Sequence, residues 1–238
     1  IFNDSPLNVG LSIIINSIKN IDLNQQRYRV SFTLNVEFEL YSDDVLKYNQ
    51  MKSKTYLTFN PTFKPVFNFP NLIETHKTRI INNEFNEVYT VFKSKNMTPR
   101  CTSEFLCTYK VFYDATFAGR FELENYPFDC QNITIIIESG LNKKQCNLVP
   151  LMSKEIFFKI DRKYCALNEY ILHEPCIQFN VTDSYDDLIS NNLPNSMETN
   201  ELKNTLSNDN IGNEYSQLWL TMKISHYNTY KFKSIIFY

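Results

Sequence analysis

Glycine is scarce in this chain, with only 4 Gly among 238 residues. Loops that wrap a phosphate group need several glycines at fixed spacing, and neither G-x-G-x-x-G nor G-x-x-x-x-G-K-[ST] occurs. The scarcity excludes the common nucleotide-binding loops. Long apolar runs are missing too, so no segment of this sequence is predicted to span a bilayer.

Charge of one sign is not concentrated anywhere along the chain. The 24 Lys and Arg residues are scattered among 26 Asp and Glu residues, and the formal net charge is −2. Binding of nucleic acid needs basic residues gathered against phosphates, so no nucleic-acid partner is expected. Catalytic motifs are missing as well, because His76, His173 and His226 have no Ser or Cys partner at motif spacing. We therefore expect no enzymatic activity.

Metal-ligand spacing is absent among the 6 cysteines and 3 histidines, since no C-x-x-C pair occurs. We expect neither a metal nor any other cofactor. An even number of cysteines favours an oxidising compartment. Glycosylation sequons point the same way, and they lie at Asn3, Asn96, Asn132 and Asn180. The sequence thus predicts a protein on the extracellular side of the cell membrane, or a secreted one.

Aromatic residues and alternating patterns are abundant. The chain contains 19 Phe and 15 Tyr, which favour strands. From residue 28 to residue 40 every second residue is apolar and the others are polar, as in a strand with one dry and one wet face. No stretch combines helical periodicity with capping signals. Other strand-like runs lie at residues 7–13, 88–92, 105–117, 133–137, 157–160, 177–181 and 218–224. We expect one all-β domain over residues 1–238, with a long polar loop at 183–213.

The segment Tyr126-Pro127-Phe128-Asp129, followed by Gln131, lies between two of these runs. It resembles the [FY]-P-F-D-x-Q motif of the pentameric ligand-gated ion channels, also called Cys-loop receptors. Further likenesses follow the order of that family along the chain. Residues 21–25 resemble its first hairpin loop, Tyr41-Ser42-Asp43 its Trp-x-Asp, and Phe59-Asn60-Pro61 with Phe67-Asn68 its Trp-x-Pro and the aromatic-Asn pair after it.

The resemblance implies an immunoglobulin-like β-sandwich of about ten strands, of the neurotransmitter-gated channel ligand-binding-domain type. It implies neighbouring homologous subunits in a homo- or hetero-pentamer and a small-molecule ligand bound between them. It also implies that the domain ends at or just before a first membrane helix. The residues that would relay binding to the pore are Asp22, Pro127, Phe128, Asp129 and His226, and those that would contact the ligand are Phe67 and Tyr215.

The signature disulfide of the family is absent, because its two cysteine positions correspond to Gly119 and Ile133. Cys130 lies inside the motif instead, and Cys146 is one partner open to it. Cys101 and Cys107 lie across a short predicted hairpin, which leaves Cys165 and Cys176 to each other. Other pairings of the six cysteines stay open.

The ligand site of the family is also altered. No aromatic residue stands where the family has its central Trp, which corresponds to a position near Gly140. A second interpretation therefore stays open. In it, the chain is a secreted or surface protein that uses the same β-sandwich as an interaction or structural module without a channel.

Overall fold

The computed structural model describes residues 6–51, 59–83, 87–93, 104–124, 130–151, 158–161, 165, 170–173, 175–182 and 214–226. Most of these residues are in strands. The elements are β1 (Leu7–Asp22), β2 (Arg27–Glu39), α1 (Ser42–Met51), β3 (Phe67–Asn68), β4 (Leu72–Ile81), β5 (Thr90–Lys93), β6 (Phe105–Ala118), β7 (Cys130–Asn142), β8 (Cys146–Pro150), β9 (Phe158–Ile160), β10 (Tyr170–Leu172), β11 (Cys176–Thr182) and β12 (Tyr215–His226).

The strands form two sheets. Sheet A has seven strands in the order β4-β6-β2-β1-β8, with β5 paired to β6 and β9 paired to β1. Sheet B has five strands in the order β10-β12-β7-β3, with β11 paired to β12. Most pairs are antiparallel, whereas β8 and β9 run parallel to β1. The expected all-β class is confirmed at this level.

One hydrophobic core joins the two sheets. The apolar positions of β2 that alternate in the sequence are fully buried, among them Tyr28, Phe32 and Phe38. They belong to the same cluster as Ile135 of β7 and Leu220 of β12, which are in sheet B. Because successive side chains of a strand point to opposite faces, one face of each sheet is directed toward this cluster.

Two ends of the molecule can be distinguished from the strand register. The start of β2 pairs with the end of β6 through Arg27 and Ala118, and the end of β12 pairs with the start of β7 through Ser225 and Cys130. We call this end, with the turn at residues 23–26 and the segment 119–124, the hairpin pole. The opposite end, where Leu7 is the partner of Cys146, is the far pole.

Helix α1 departs from the expectation of strands alone. It follows β2 directly, and its first turn contains Asp43 and Asp44, which favour the amino end of a helix. The backbone N–H of Val45 donates to the carbonyl oxygen of Tyr41 at 2.9 Å. Within the described ranges, no helix is long and apolar enough to cross a bilayer.

The polar side chains of β2 are less exposed to solvent than the alternating pattern predicts. Ser31, Thr33 and Glu37 are all buried, although they point away from the core. Other segments of the chain therefore cover this part of sheet A. Several predicted features lie outside the described residues, namely Asn3, Asn96, Cys101, Pro127, Phe128, Asp129 and the polar loop at 183–213.

The pairing of Cys130 with Cys146, which the sequence left open, is not formed in the structure. Cys130 begins β7 at the hairpin pole, and Cys146 follows the other end of that 13-residue strand. A strand of this length separates its ends by about 40 Å, whereas a disulfide needs Cα atoms within about 7 Å. The five cysteines in the described ranges are free thiols, and they are Cys107, Cys130, Cys146, Cys165 and Cys176.

The pairing of Cys165 with Cys176 is also wrong. Cys165 is buried beside β1, where its thiol contacts the carbonyl oxygen of Ile15. Cys176 is exposed at the start of β11 in sheet B. Burial raises the pKa of the Cys107 thiol to about 12 and that of Cys165 to about 11. These two thiols are therefore protonated and unreactive near neutral pH.

Candidate functional site

The turn between β1 and β2 is built at the hairpin pole by local hydrogen bonds. The carboxylate Oδ1 of Asp22 accepts from the backbone N–H of Gln25 at 2.9 Å, as expected for an Asp that precedes a turn. Gln26 closes the turn with a φ of 53°, a left-handed conformation. Asp22, predicted to transmit binding, thus has a structural contact that fixes the shape of this turn.

The side chain of Gln26 ties this turn to the segment 119–124. Its Nε2 donates to the carbonyl oxygen of Phe121 at 3.0 Å, and its Oε1 accepts from the backbone N–H of the same residue. The backbone N–H of Gly119 also donates to the carbonyl oxygen of Gln26 at 2.8 Å. Because Phe121 is buried, the Gln26 amide supplies the partners that this backbone would otherwise lack.

Gln131 makes the equivalent contact from β7. Its Oε1 accepts from the backbone N–H of Glu122 at 3.0 Å, and its Nε2 donates to the carbonyl oxygen of Glu122. Gln131 itself is buried. The segment 119–124 is therefore held between the first turn and the start of β7 by two glutamine amides.

Asn71 and Tyr28 connect the two sheets next to this segment. Asn71 Nδ2 donates to the carbonyl oxygens of Ala118 at 3.2 Å and Thr134 at 2.6 Å, and its Oδ1 accepts from the N–H of Ile136. The hydroxyl of Tyr28 donates to the same carbonyl of Thr134. Burial raises the pKa of Tyr28, so this hydroxyl stays a neutral donor.

Gly119 is enclosed by aromatic rings. A Cβ added there would lie 3.0 Å from Phe121 Cζ and 3.0 Å from Tyr28 Cε1. Any larger residue would have to displace buried rings. The structure thus gives a packing reason for glycine at this position.

Both predicted coupling residues in the described ranges lie at the hairpin pole. Asp22 lies at the end of β1, and His226 is the last residue of β12, paired with Tyr170. Pro127, Phe128 and Asp129 lie outside the described residues, but Glu124 and Cys130 on either side of them are both at this pole. In the part of the chain described, no cluster of three metal-ligating side chains occurs.

The two predicted ligand-contacting aromatics lie on opposite faces of sheet B. Phe67 pairs with Ser139 and packs against the core. Tyr215 pairs with Thr182 and shares its face with Gln217, two residues further along. Both lie toward the far-pole end of β7. One chain alone does not bring these side chains into one site.

A polar row crosses the outer face of sheet B, and sequence reasoning missed it. We use this name for Asn68, Glu138, Gln217 and Asn180, which are successive register partners on β3, β7, β12 and β11. Gln217 Nε2 donates to Glu138 Oε2 at 2.7 Å, and Gln217 is 0% exposed. Trp219 Nε1 donates to Gln217 Oε1 at 2.8 Å. The sequence contains one indication of this row, because the charged Glu138 directly follows the isoleucine-rich run at 133–137.

Close packing explains the missing aromatic near Gly140. Its N–H donates to the carbonyl oxygen of Val66 at 2.8 Å, and an added Cβ would lie 3.1 Å from the Val66 side chain.

Of the sequons in the described ranges, Asn132 is exposed and Asn180 is half-buried in the polar row.

No family model matches this chain, and no curated protein matches it significantly. Any functional conclusion must therefore come from the geometry of the chain itself together with its sequence motifs.

Proposed function

We propose that this chain is the extracellular domain of a subunit of a pentameric ligand-gated ion channel. One observation carries the proposal. The residues on either side of the Tyr-Pro-Phe-Asp motif, Glu124 and Cys130, lie at the pole that also holds the turn at 23–26 and the end of β12. In the family that the motif resembles, these segments face the membrane domain together.

The architecture supports this proposal. Two sheets share one core, as in an immunoglobulin-like β-sandwich of the ligand-binding-domain type. In this proposal the sheets form one rigid body, so that displacement at one site reaches the hairpin pole. Such coupling needs a ligand whose affinity differs between two arrangements of the assembly.

The contacts around Gly119 supply what the missing disulfide would otherwise provide. Gly119 and Ile133, the positions that correspond to the family cysteines, flank the contacts of Asn71 with Ala118 and Thr134. Gln131 adds a second connection to the segment 119–124. Hydrogen bonds of this kind hold two segments together without a covalent link.

The proposed ligand contact lies on the outer face of sheet B. Tyr215 and Trp219 are partly exposed there, on either side of the buried Gln217. Aromatic faces attract cationic groups, and Glu138 adds a carboxylate to the same face. Phe67 belongs to the core-facing row, so Tyr215 is the stronger of the two candidates. A neighbouring subunit would complete the site.

A second candidate function is an interaction module without a channel, and the geometry of β4 favours it. This 10-residue strand at the edge of sheet A is exposed along almost its whole length. Ile73 is 53% exposed and Ile80 is 51% exposed. A long open edge with exposed apolar side chains is a surface to which another strand can add.

The coding sequence beyond Tyr238 separates the two candidates. The channel proposal predicts four apolar segments of about 20 residues each in the continuation of the transcript. A stop codon or one apolar anchor would contradict the channel and support the module. Native mass spectrometry of the complete product then reports the assembly, and a stable species other than a pentamer would also contradict the channel.

A further inference from the structure

A cavity of about 660 Å³ lies on the outer face of sheet A. Its floor is formed mainly by side chains of β1, β2 and β6 that point away from the core, and residues within 81–83, 88–92, 151 and 158–159 line its sides. This covering explains why Glu37 is only 1% exposed on a face that would otherwise meet solvent. The cavity is remote from the hairpin pole and from sheet B.

The floor contains a buried hydrogen-bond acceptor to which no residue in the described ranges donates. Asn35 lies between Ser12 on β1 and Lys110 on β6 in the strand register. Its Nδ2 donates to Ser12 Oγ at 3.0 Å, whereas its Oδ1 is buried and has no hydrogen-bond partner among the described residues. A buried polar atom without a partner is destabilising, so a ligand that donates to it is favoured.

Glu37 adds a carboxylate to the same floor. It lies two residues beyond Asn35 on β2, so both side chains point to the same face of the sheet. A carboxylate has about four acceptor positions, so it can accept from a ligand in addition to its partners in the protein. Asn35 and Glu37 together suit a group with several N–H donors and a positive charge.

About half of the remaining lining residues are apolar, beside polar ones such as Asn82, Asn83 and Thr108, and the apolar ones define the rest of the ligand. Ile14, Ile81, Val88, Phe92 and Phe158 border the cavity. Its volume is in the range of about 300–1,000 Å³ that is common for small-molecule sites. A compact aliphatic or aromatic body would be removed from water by these side chains.

Two lysines also border the cavity, and their exposure to solvent limits how strongly they repel a cationic ligand. Lys110 and Lys159 are exposed, so water and salt screen their charges. The carboxylate of Glu37 is buried, where an opposite charge is attracted more strongly. The balance at the floor therefore favours a cation over an anion.

We propose that this cavity binds a small primary amine with an apolar body, with the ammonium group donating to Asn35 and Glu37. The inference does not depend on the channel proposal, because the site lies within one chain and on another face. Either proposal can fail while the other holds.

Isothermal titration calorimetry on the 238-residue chain tests the inference with three probes of one shape. These are 3-phenylpropylamine, 3-phenylpropanol and 3-phenylpropionate. We expect the amine to bind at least about tenfold more tightly than the other two, which corresponds to about 1.4 kcal/mol. Equal affinity for all three probes would show that only the apolar lining contributes to binding. Tightest binding of 3-phenylpropionate would show that the lysines determine the preference. Either result, or no binding of the amine, overturns the proposal.

Variants locate the binding on the floor of the cavity. Glu37→Gln removes the charge with little change of shape and should weaken amine binding by about tenfold or more. Glu39→Gln is the matched control, because it lies on the same face of β2 and does not border the cavity. Its affinity should stay within about twofold of the unchanged chain. An equal effect of both variants would contradict the site, and the three-probe series needs no variant to fold.

Discussion

At the residue scale, Gln26 and Gln131 each bond both backbone polar groups of one residue in the segment 119–124. A side-chain amide carries one acceptor and two donors, so it can take the place of a strand neighbour. The contribution of each contact to stability depends on how exposed the backbone is that the glutamine bonds. Phe121, the partner of Gln26, is buried, whereas Glu122 is exposed and can bond water. Gln26 is therefore the more consequential of the two.

We expect Gln26→Asn to lower the free energy of unfolding by about 2 kcal/mol. The shorter amide no longer reaches Phe121, which leaves a buried N–H and a buried carbonyl without partners. Asn tolerates the φ of 53° at this position, so backbone strain does not add to the loss. Urea denaturation followed by circular dichroism measures the difference.

Gln25→Asn is the control for this change, because Gln25 lies in the same turn with an exposed side chain. Its effect should stay within about 0.5 kcal/mol. Equal losses for the two variants would show that the Gln26 amide contributes nothing specific to the hairpin pole.

The pair of Arg29 and Asp114 on the outer face of sheet A makes stability depend on pH. Arg29 Nε and Nη2 donate to the two carboxylate oxygens at 2.8 and 2.7 Å. These bonds hold the pKa of Asp114 below its usual range. A carboxyl group with a lowered folded-state pKa contributes stability above its unfolded pKa of about 3.9, and this is lost as pH falls through the folded value.

We therefore expect the unchanged chain to lose about 1 kcal/mol more stability than Arg29→Gln when the pH falls from 6 to about 2. Denaturant midpoints measured across this range give the two slopes. The exposed pair of Lys143 and Glu214 serves as control, and Lys143→Gln should leave the slope unchanged within about 0.3 kcal/mol. Parallel curves for Arg29→Gln and the unchanged chain would contradict the prediction.

At the element scale, α1 is anchored by one buried carboxylate. Asp44 is 1% exposed and accepts from the N–H of Thr62 at 2.9 Å and from its hydroxyl at 2.7 Å. Lys47 of the same helix donates to Asp44 at 3.3 Å. These contacts connect the helix to the segment that leads to β3, outside the two sheets.

Asp44→Ala should lower the free energy of unfolding by about 3 kcal/mol, because the two hydrogen bonds that Thr62 donates to this charged, buried carboxylate are lost. Asp43→Ala is the comparison, since Asp43 occupies the same first turn and is exposed. It should cost no more than about 0.5 kcal/mol, through its effect on the helix dipole. Thermal unfolding of the two variants measures the difference, and equal costs would refute a specific role for Asp44.

The sequence predicted strands well where burial alternates. The run at residues 28–40 became β2, and that at 105–117 became β6 almost to the residue. It did not predict β4, because an edge strand exposed on both faces is stabilised by its hydrogen bonds to β6 and leaves no apolar alternation. Helix α1 was not predicted for a related reason. Its buried residue is the charged Asp44, so the helix has no apolar face that the sequence pattern could reveal.

The candidate site was predictable only in part. The motifs indicated that residues 21–25 and 126–129 act together, and the described residues next to both segments do lie at one pole. The polar row and the floor of the cavity depend on partners far apart in sequence, such as Glu138 with Gln217. Register across sheets fixes such pairs, and local patterns carry no information about it. The pairings of Cys130 with Cys146 and of Cys165 with Cys176 failed for the same reason.

At the scale of the whole molecule, the two sheets enclose one core and present three distinct surfaces. The hairpin pole joins segments from both sheets, the outer face of sheet B carries the polar row, and the outer face of sheet A contains the cavity. In the channel proposal, the first would face the membrane and the second a neighbouring subunit.

Electron cryomicroscopy of the complete gene product in a membrane mimetic tests the channel proposal most directly. The proposal predicts five copies around one axis, with the turn at residues 23–26 directed at the membrane and the far pole directed away from it. A monomeric particle, or an assembly in which Leu7 and Cys146 lie nearest the membrane, would contradict it.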